Sequence, residues 1–131
     1  MTRRILIVDD EPNIVTLLEF LMRGSDYEVR VARNGEEALR RAESFRPELV
    51  LLDVMMPRRS GFEVCQKIRE NPALRNVKIV MLTAKGRDAE KGRGLDLGAN
   101  AYVTKPFSTK ELMSTVRGLL HAGDEPNPVR R

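Results

Sequence analysis

Five polar residues stand where apolar runs stop. Asp9 and Asp10 follow Ile5-Leu6-Ile7-Val8, Asp53 follows Leu49-Val50-Leu51-Leu52, Thr83 follows Val80-Met81-Leu82, and Lys105 comes just past Tyr102-Val103. If these runs are strands of an open parallel sheet, their carboxyl ends face one crevice, where ligands of such sheets bind. Three acids, a hydroxyl and an ammonium would then share one small space. Carboxylates a few ångströms apart repel, and one of them is driven toward protonation unless a cation intervenes. Hard oxygen ligands with room left for water suit Mg²⁺. A metal beside a carboxylate and a lysine can position a phosphoryl group and neutralise its equatorial oxygens. The chemistry points to phosphate.

Each residue taken singly has a plainer role. Asp9 and Asp10 both suit the cap of a following helix, but only one side chain can cap. The other must point into the crevice or lie buried and unpaired. Asp53, before Val54-Met55-Met56-Pro57, could serve a turn, Thr83 could be an ordinary strand residue, and Lys105 could be solvated. Joint placement decides, because chance seldom ends four strands at one edge with acid, acid, hydroxyl and amine.

The elements that must position these groups alternate short apolar runs with helical periodicity, which indicates an α/β domain with a parallel sheet. Strands are expected near 4–8, 28–32, 49–53, 77–82 and 101–104, and helices near 12–24, 36–46, 61–70, 88–97 and 108–121. The first helix has Pro12 in its first turn after Asp10, a stripe of Ile14, Leu17, Leu18 and Leu21, and Gly24 as a stop. Glu28-Val29-Arg30-Val31 alternates as an edge strand does, whereas the runs ending at Val8 and Leu52 are apolar throughout, as central strands covered on both faces are. Leu112, Val116, Leu119 and Leu120 lie at helical spacing behind Ser108 or Thr109, with Glu111 completing a capping-box-like start. The helix near 88–97 carries Gly92 and Gly94 and is entered near Gly86. Each interior glycine costs about 1 kcal/mol against alanine, so this helix is expected to be marginal and movable.

The chain of 131 residues fits one domain, expected over 1–121. Ala122-Gly123-Asp124-Glu125-Pro126-Asn127-Pro128 has linker composition, so 122–131 reads as a flexible tail or the start of a linker. One cysteine, Cys65, cannot form an internal disulfide; it shares a helical stripe with Val64 and Ile68 and reads as core. Met1-Thr2-Arg3-Arg4 runs straight into a strand without a signal-peptide pattern, which suggests a cytoplasmic protein. No apolar stretch approaches the ~20 residues that cross a bilayer. The formal charge of +4 and pI of about 9.6 would suit nucleic acid only if the basic residues gathered on one face. Arg40-Arg41, Arg58-Arg59 and Arg130-Arg131 instead fall in separate segments, with two tyrosines and four phenylalanines for stacking, so no direct nucleic-acid partner is expected. His121, with no acid or nucleophile beside it in sequence, is a helix-end residue rather than a catalyst.

Taken as a set, Ile7-Val8-Asp9-Asp10-Glu11, Leu52-Asp53-Val54-Met55-Met56-Pro57 followed by Gly61, Met81-Leu82-Thr83-Ala84, and Gly98-Ala99 leading to Tyr102-Val103-Thr104-Lys105-Pro106-Phe107 resemble the receiver domain of two-component response regulators. The chemotaxis response regulator is that family's single-domain type, and the resemblance covers about residues 3–121. It implies a doubly wound, flavodoxin-like parallel sheet of five strands in the order 2-1-3-4-5 with five flanking helices. It implies that Asp53 is the phosphoacceptor, taking a phosphoryl group from the phosphohistidine of a sensor histidine kinase or phosphotransfer protein. Asp10, Asp53 and the backbone carbonyl of Met55 would be direct Mg²⁺ ligands, with Asp9 acting through a bound water. Lys105 would pair with a phosphoryl oxygen, Thr83 would swing to another, and Tyr102 would turn inward as Thr83 moves. A cis peptide bond before Pro106 is implied as well. The output would be a downstream effector on the face of the fourth helix, fifth strand and fifth helix.

The chain departs from the family pattern in places. Ser60, behind Arg58 and Arg59, stands where many relatives have an acid, which bears on kinase docking. Asn100-Ala101 replaces the acidic pair of the winged-helix transcription-factor branch, so at most a weak homodimer is expected. Met55 and Lys85 flank the acceptor, and apolar Met55 offers no help in orienting water, so self-dephosphorylation is expected to be slow. Two other classes compete. A Mg-dependent phosphohydrolase with an aspartate nucleophile needs a second acid two residues on, where this chain has Met55. A flavin carrier wants a hydroxyl- and glycine-rich loop after the first strand, where this chain has Asp9-Asp10-Glu11-Pro12. The remaining alternative is the receiver portion of a longer transcriptional or enzymatic regulator.

Overall fold

Parity along the central strands explains the architecture. In the computed structural model, which describes residues 2–56, 60–84 and 95–121, five parallel strands run β1 (Arg4–Val8), β2 (Glu28–Ala32), β3 (Leu49–Asp53), β4 (Lys78–Ala84) and β5 (Ala101–Lys105), in spatial order β2-β1-β3-β4-β5. Successive strand side chains point to opposite faces. Leu6, Val8, Val50, Leu52, Ile79 and Met81 therefore feed one core with α2 (Gly35–Phe45) and α3 (Gly61–Glu70). Ile5, Ile7, Leu49, Leu51, Val80 and Leu82 feed the other with α1 (Pro12–Gly24) and α4 (Thr109–Leu120). β1 and β3 are central and apolar as expected, and β2, with Arg30 exposed, is an edge. Among the described residues there are four α-helices. The fifth, expected near 88–97, lies outside them except at its end, where Leu95 and Asp96 are helical.

Local chemistry fixes most boundaries. Ser108 is the cap of α4, its side chain accepting from the Glu111 N–H at 2.9 Å, and Thr109 is already helical. Ser60 caps α3 in the same way through Glu63. α2 ends one residue before the expected 46, because Arg46 takes a left-handed conformation at φ 55° and the following Pro47 disfavours a right-handed helix there. β4 runs two residues past the expected 82, since Thr83 and Ala84 still pair with Thr104 and Lys105. Neither Asp9 nor Asp10 caps α1; the cap position is Glu11, without a side-chain hydrogen bond, and Pro12 opens the helix as expected. A 3₁₀ turn at Pro72–Leu74 has no counterpart in the expected elements.

Register brings the acids together. Val8 of β1 pairs with Leu52 of β3, so Asp9 and Asp53 follow at the same level on adjacent strands, about 4.8 Å apart in strand spacing. The chain then leaves β3 through Val54, whose N–H donates to Leu82 O at 3.0 Å and whose carbonyl accepts from Gly61 N at 2.9 Å. This return is tight: a Cβ on Gly61 would lie 2.3 Å from the Asp53 carbonyl oxygen and 2.8 Å from Val54 Cα. Gly61→Ala should therefore destabilise the fold by about 2 kcal/mol or more through forced backbone movement. Urea unfolding measures it, and an unchanged midpoint would show that this loop yields freely.

Candidate functional site

The carboxyl edge of the sheet gathers the expected groups in one place. Asp9, Asp53 and Thr83 are 0%, 6% and 4% exposed, the only buried polar or charged residues among those described. Asp10 is exposed and Lys105 partly buried at the end of β5. One carboxylate oxygen from each of Asp9, Asp10 and Asp53 lies within 4.8 Å of the others. Of the two adjacent aspartates, Asp9 is the inward one, and it is paired. Its Oδ2 accepts from Lys105 Nζ at 2.9 Å and its Oδ1 from the Glu11 N–H at 3.0 Å, a local turn that also settles the chain entering α1. Lys105 Nζ lies 3.5 Å from Asp53 Oδ1, which accepts from the Met55 N–H at 3.3 Å.

This arrangement sets the electrostatics. Burial, then the charge of Asp9, push the Asp53 carboxyl from 3.8 up to about 6, against the opposing pull of Lys105 and of the Met55 N–H. For Lys105, burial disfavours the ammonium, but the hydrogen bond to Asp9 and the charges of Asp53 and Asp9 outweigh it and raise its pKa. One lysine thus serves two acids, and one of these, Asp53, is still costly to ionise. The donor set is all oxygen, with one member open to solvent, and it fits a hard divalent cation, which would relieve the repulsion that lifts Asp53.

The remaining expected residues fall nearby. Thr83 lies in β4 one residue beyond Leu82, the partner of Asp53. Tyr102, opposite Met81 in β5, packs against the α2–α3 core. Met55 is exposed, while Met56 packs on that same core. The Lys105–Pro106 peptide bond is cis. Pro57, Arg58, Arg59 and Lys85 lie outside the described residues. Two tertiary features had no sequence signal. Arg69 of α3 donates to Gly98 O, Val77 O and Asn100 Oδ1 at 2.9, 2.7 and 2.8 Å, fastening the chain that leads into β5. His121 Nε2 meets the Tyr27 hydroxyl at 3.0 Å with the rings stacked, joining residues 94 apart in sequence.

A buried acid pair bridged by a lysine at the carboxyl edge of a 2-1-3-4-5 sheet has the charges and the position of a phosphoryl-handling site. A family model for the response regulator receiver domain matches residues 5–117, and the chain belongs to that family. Among proteins similar to it, the alkaline phosphatase synthesis transcriptional regulatory protein PhoP of Bacillus subtilis is 44% identical over 128 residues, 98% of this chain and 52% of that protein. The chain thus spans about half the length of this curated relative. Chemotaxis response regulator CheY4 of Vibrio cholerae is similar in structure, with TM-score 0.85, 30% identity, and coverage of 91% of this chain and 99% of that one. So is the receiver domain of sensor histidine kinase PA1611 from Pseudomonas aeruginosa, with TM-score 0.84, 31% identity and coverage of 92% and 98%; in that structure a magnesium ion is coordinated in the active site cleft.

The sign of the Asp53 shift yields a test. An acid whose pKa rises on folding takes up a proton between about pH 4 and 6, so its contribution to stability falls as pH rises through that window. Without divalent cations, Asp53→Asn should stabilise the protein by about 3 kcal/mol near pH 7, and the gain should vanish near pH 4. Urea unfolding in EDTA at the two pH values checks this.

Proposed function

We propose that Asp53 is the phosphoacceptor of a two-component switch, served by a sensor histidine kinase or phosphotransfer protein. The observation that carries this reading is the placement of one ammonium, Lys105, against both Asp9 and Asp53. A carboxylate oxygen of ionised Asp53 attacks phosphorus, the phosphorus–nitrogen bond of the phosphohistidine breaks, and the departing imidazole takes up a proton. An acyl phosphate remains on Asp53. With its pKa at about 6, Asp53 is mostly ionised at neutral pH and therefore available as a nucleophile. As its charge moves into the phosphoryl group, Lys105 can keep its bond to Asp9 and turn toward a phosphoryl oxygen.

Asp10, Asp53 and the Met55 carbonyl are the candidates to hold Mg²⁺ directly, with Asp9 acting through water. A bound Mg²⁺ would neutralise charge building on the phosphoryl oxygens. Thr83, one residue past the partner of Asp53, supplies a hydroxyl to the modified site, and Tyr102 follows its displacement. A phosphoryl group brings roughly −1.5 to −2 charge and three strong acceptors, enough to bias two arrangements of the adjacent chain. The effector face is assigned to β5, α4 and the expected helix near 88–97, with at most weak self-association. Residues 1–121 form the receiver unit, which assists its own phosphorylation and slow dephosphorylation. The likeness over half of a transcriptional regulator supports a transcriptional output for a longer protein. Among the described residues no helix is long and apolar enough to cross a membrane. A cytoplasmic location, with neither membrane nor nucleic acid bound directly, completes the proposal.

Mass spectrometry after treatment with acetyl phosphate and Mg²⁺ tests the acceptor. A phosphoryl adduct is expected on the native chain and none on Asp53→Ala; an adduct that persists in the variant moves the site elsewhere. Lys105→Ala should label about 10²-fold more slowly, the scale of losing one donor to developing charge, and labelling at the native rate would remove Lys105 from the chemistry. The native adduct should decay over minutes or longer, because exposed Met55 gives attacking water no hydrogen-bond partner. Decay within seconds would contradict this role.

A further inference from the structure

Opposite the acid cluster, at the end of the sheet where the strands begin, lies a cleft of about 330 Å³. Its floor is apolar, formed by Leu74 and Val77 ahead of β4 and by Leu119 and Leu120 at the end of α4. Its rim carries Arg3, Arg46 and Lys78 against one carboxylate, Glu48. Glu48 is already engaged by Arg3 Nη1 at 3.3 Å and by the Arg4 N–H at 3.2 Å. Positive charge therefore exceeds negative around an apolar trough.

Arg46 adds a second observation. At φ 55° and ψ 62° it closes α2 in the left-handed region, where glycine is the common residue and an L side chain is disfavoured. Its Nε donates to Glu43 O at 3.0 Å, which ties the arginine stem to the helix end beside the cleft. Such a conformation kept at a non-glycine position invites a role for the side chain.

The cleft wall is also the point from which the chain continues. Beyond Leu120 and His121 come Ala122-Gly123-Asp124-Glu125-Pro126, which lie outside the described residues. Five residues reach at most ~18 Å, ample for acids tethered to Leu120 to meet a rim that begins beside it. We propose that the cleft is the docking site of this acidic stretch, with Asp124 and Glu125 set against Arg3, Arg46 and Lys78 and Pro126 on the apolar floor. Exposed ion pairs are weak and salt-screened between separate molecules. On a short tether they act at millimolar effective concentration, sufficient to bias where the chain leaves the receiver.

Methyl NMR of the full chain, compared with Asp124→Asn/Glu125→Gln, tests this. At low salt the Leu74, Leu119 and Leu120 methyl resonances should differ between the two proteins. The difference should collapse in half-molar sodium chloride, and it should be lost when Arg46→Gly is introduced into both. Because glycine suits the left-handed position, Arg46→Gly should keep or raise the unfolding midpoint, which separates lost docking from lost structure. Should that midpoint fall, Lys78→Gln introduced into both proteins serves instead and should at least halve the difference. Identical resonances in the native chain and the double variant at low salt would overturn the proposal. So would a difference that survives salt and both rim substitutions, since the rim would then have no part in it. Acetyl phosphate should label Asp53 equally in all these proteins, so failure here is distinct from failure of the phosphoacceptor reading.

Discussion

Two carboxylates at one level of a sheet edge, with an ammonium between them, are the constraint from which the rest of this structure follows. At an effective dielectric of about 20, two unit charges near 4 Å interact by about 4 kcal/mol, so Asp9 and Asp53 tax the fold unless a cation answers them. Lys105 answers both, at 2.9 and 3.5 Å, but not fully, since Asp53 still titrates at about 6. The shortfall is what makes the pocket receptive. A site already balanced would have no reason to take a divalent ion, and a site with no lysine would struggle to remain folded without one. Asp53 is thus kept neutralised enough for the protein to stand, yet ionised enough at neutral pH to act as a nucleophile.

The backbone bears the cost of assembling this pocket. Asp9 and Asp53 reach one level because β1 and β3 pair Val8 with Leu52, and one slipped residue would send an acid to the wrong face. The chain cannot drift after β3, because Val54 is held by Leu82 O on one side and by Gly61 N on the other. Gly61 is required there by the close approach of backbone to backbone. These restraints sit on two apolar layers whose strand residues are almost wholly inaccessible, so the repulsion is imposed on the least deformable part of the molecule. That rigidity lets a charge change at the edge act on neighbouring chain rather than dissipate.

Much of this was legible from residue order. Continuous apolar runs marked β1 and β3 as central, alternation marked β2 as an edge, and the polar residues closing the runs marked the site, because periodicity and burial are local consequences of sequence. What stayed hidden depends on contacts between distant segments. Which of Asp9 and Asp10 lies inward turned on Lys105, 96 residues away from Asp9, whose ammonium shares Asp9 with the Glu11 N–H. Arg69 and Asn100, or Tyr27 and His121, meet only once the sheet has formed, and nothing periodic announces them. Arg46 is an intermediate case. The end of the helix there could have been suspected from Pro47, though not the left-handed turn, and helical spacing alone carries α2 one residue too far.

How far one modification could move such a switch is a matter of magnitudes. Shifting a two-state equilibrium from 1:99 to 99:1 takes about 5.5 kcal/mol of differential interaction. A single charge-assisted hydrogen bond of the kind Thr83 would give a phosphoryl oxygen contributes about 1.5–3 kcal/mol. Lys105 adds less than its charge suggests, because it is already bonded to Asp9 and must share itself. In the proposed switch, phosphorylation of Asp53 alone therefore moves the population only part of the way. The remainder must come from a partner that binds one arrangement better than the other. Modified receiver and effector then stabilise the same state together, and by reciprocity the effector favours the phosphorylated form at equilibrium by the same free energy as the phosphoryl group favours the effector.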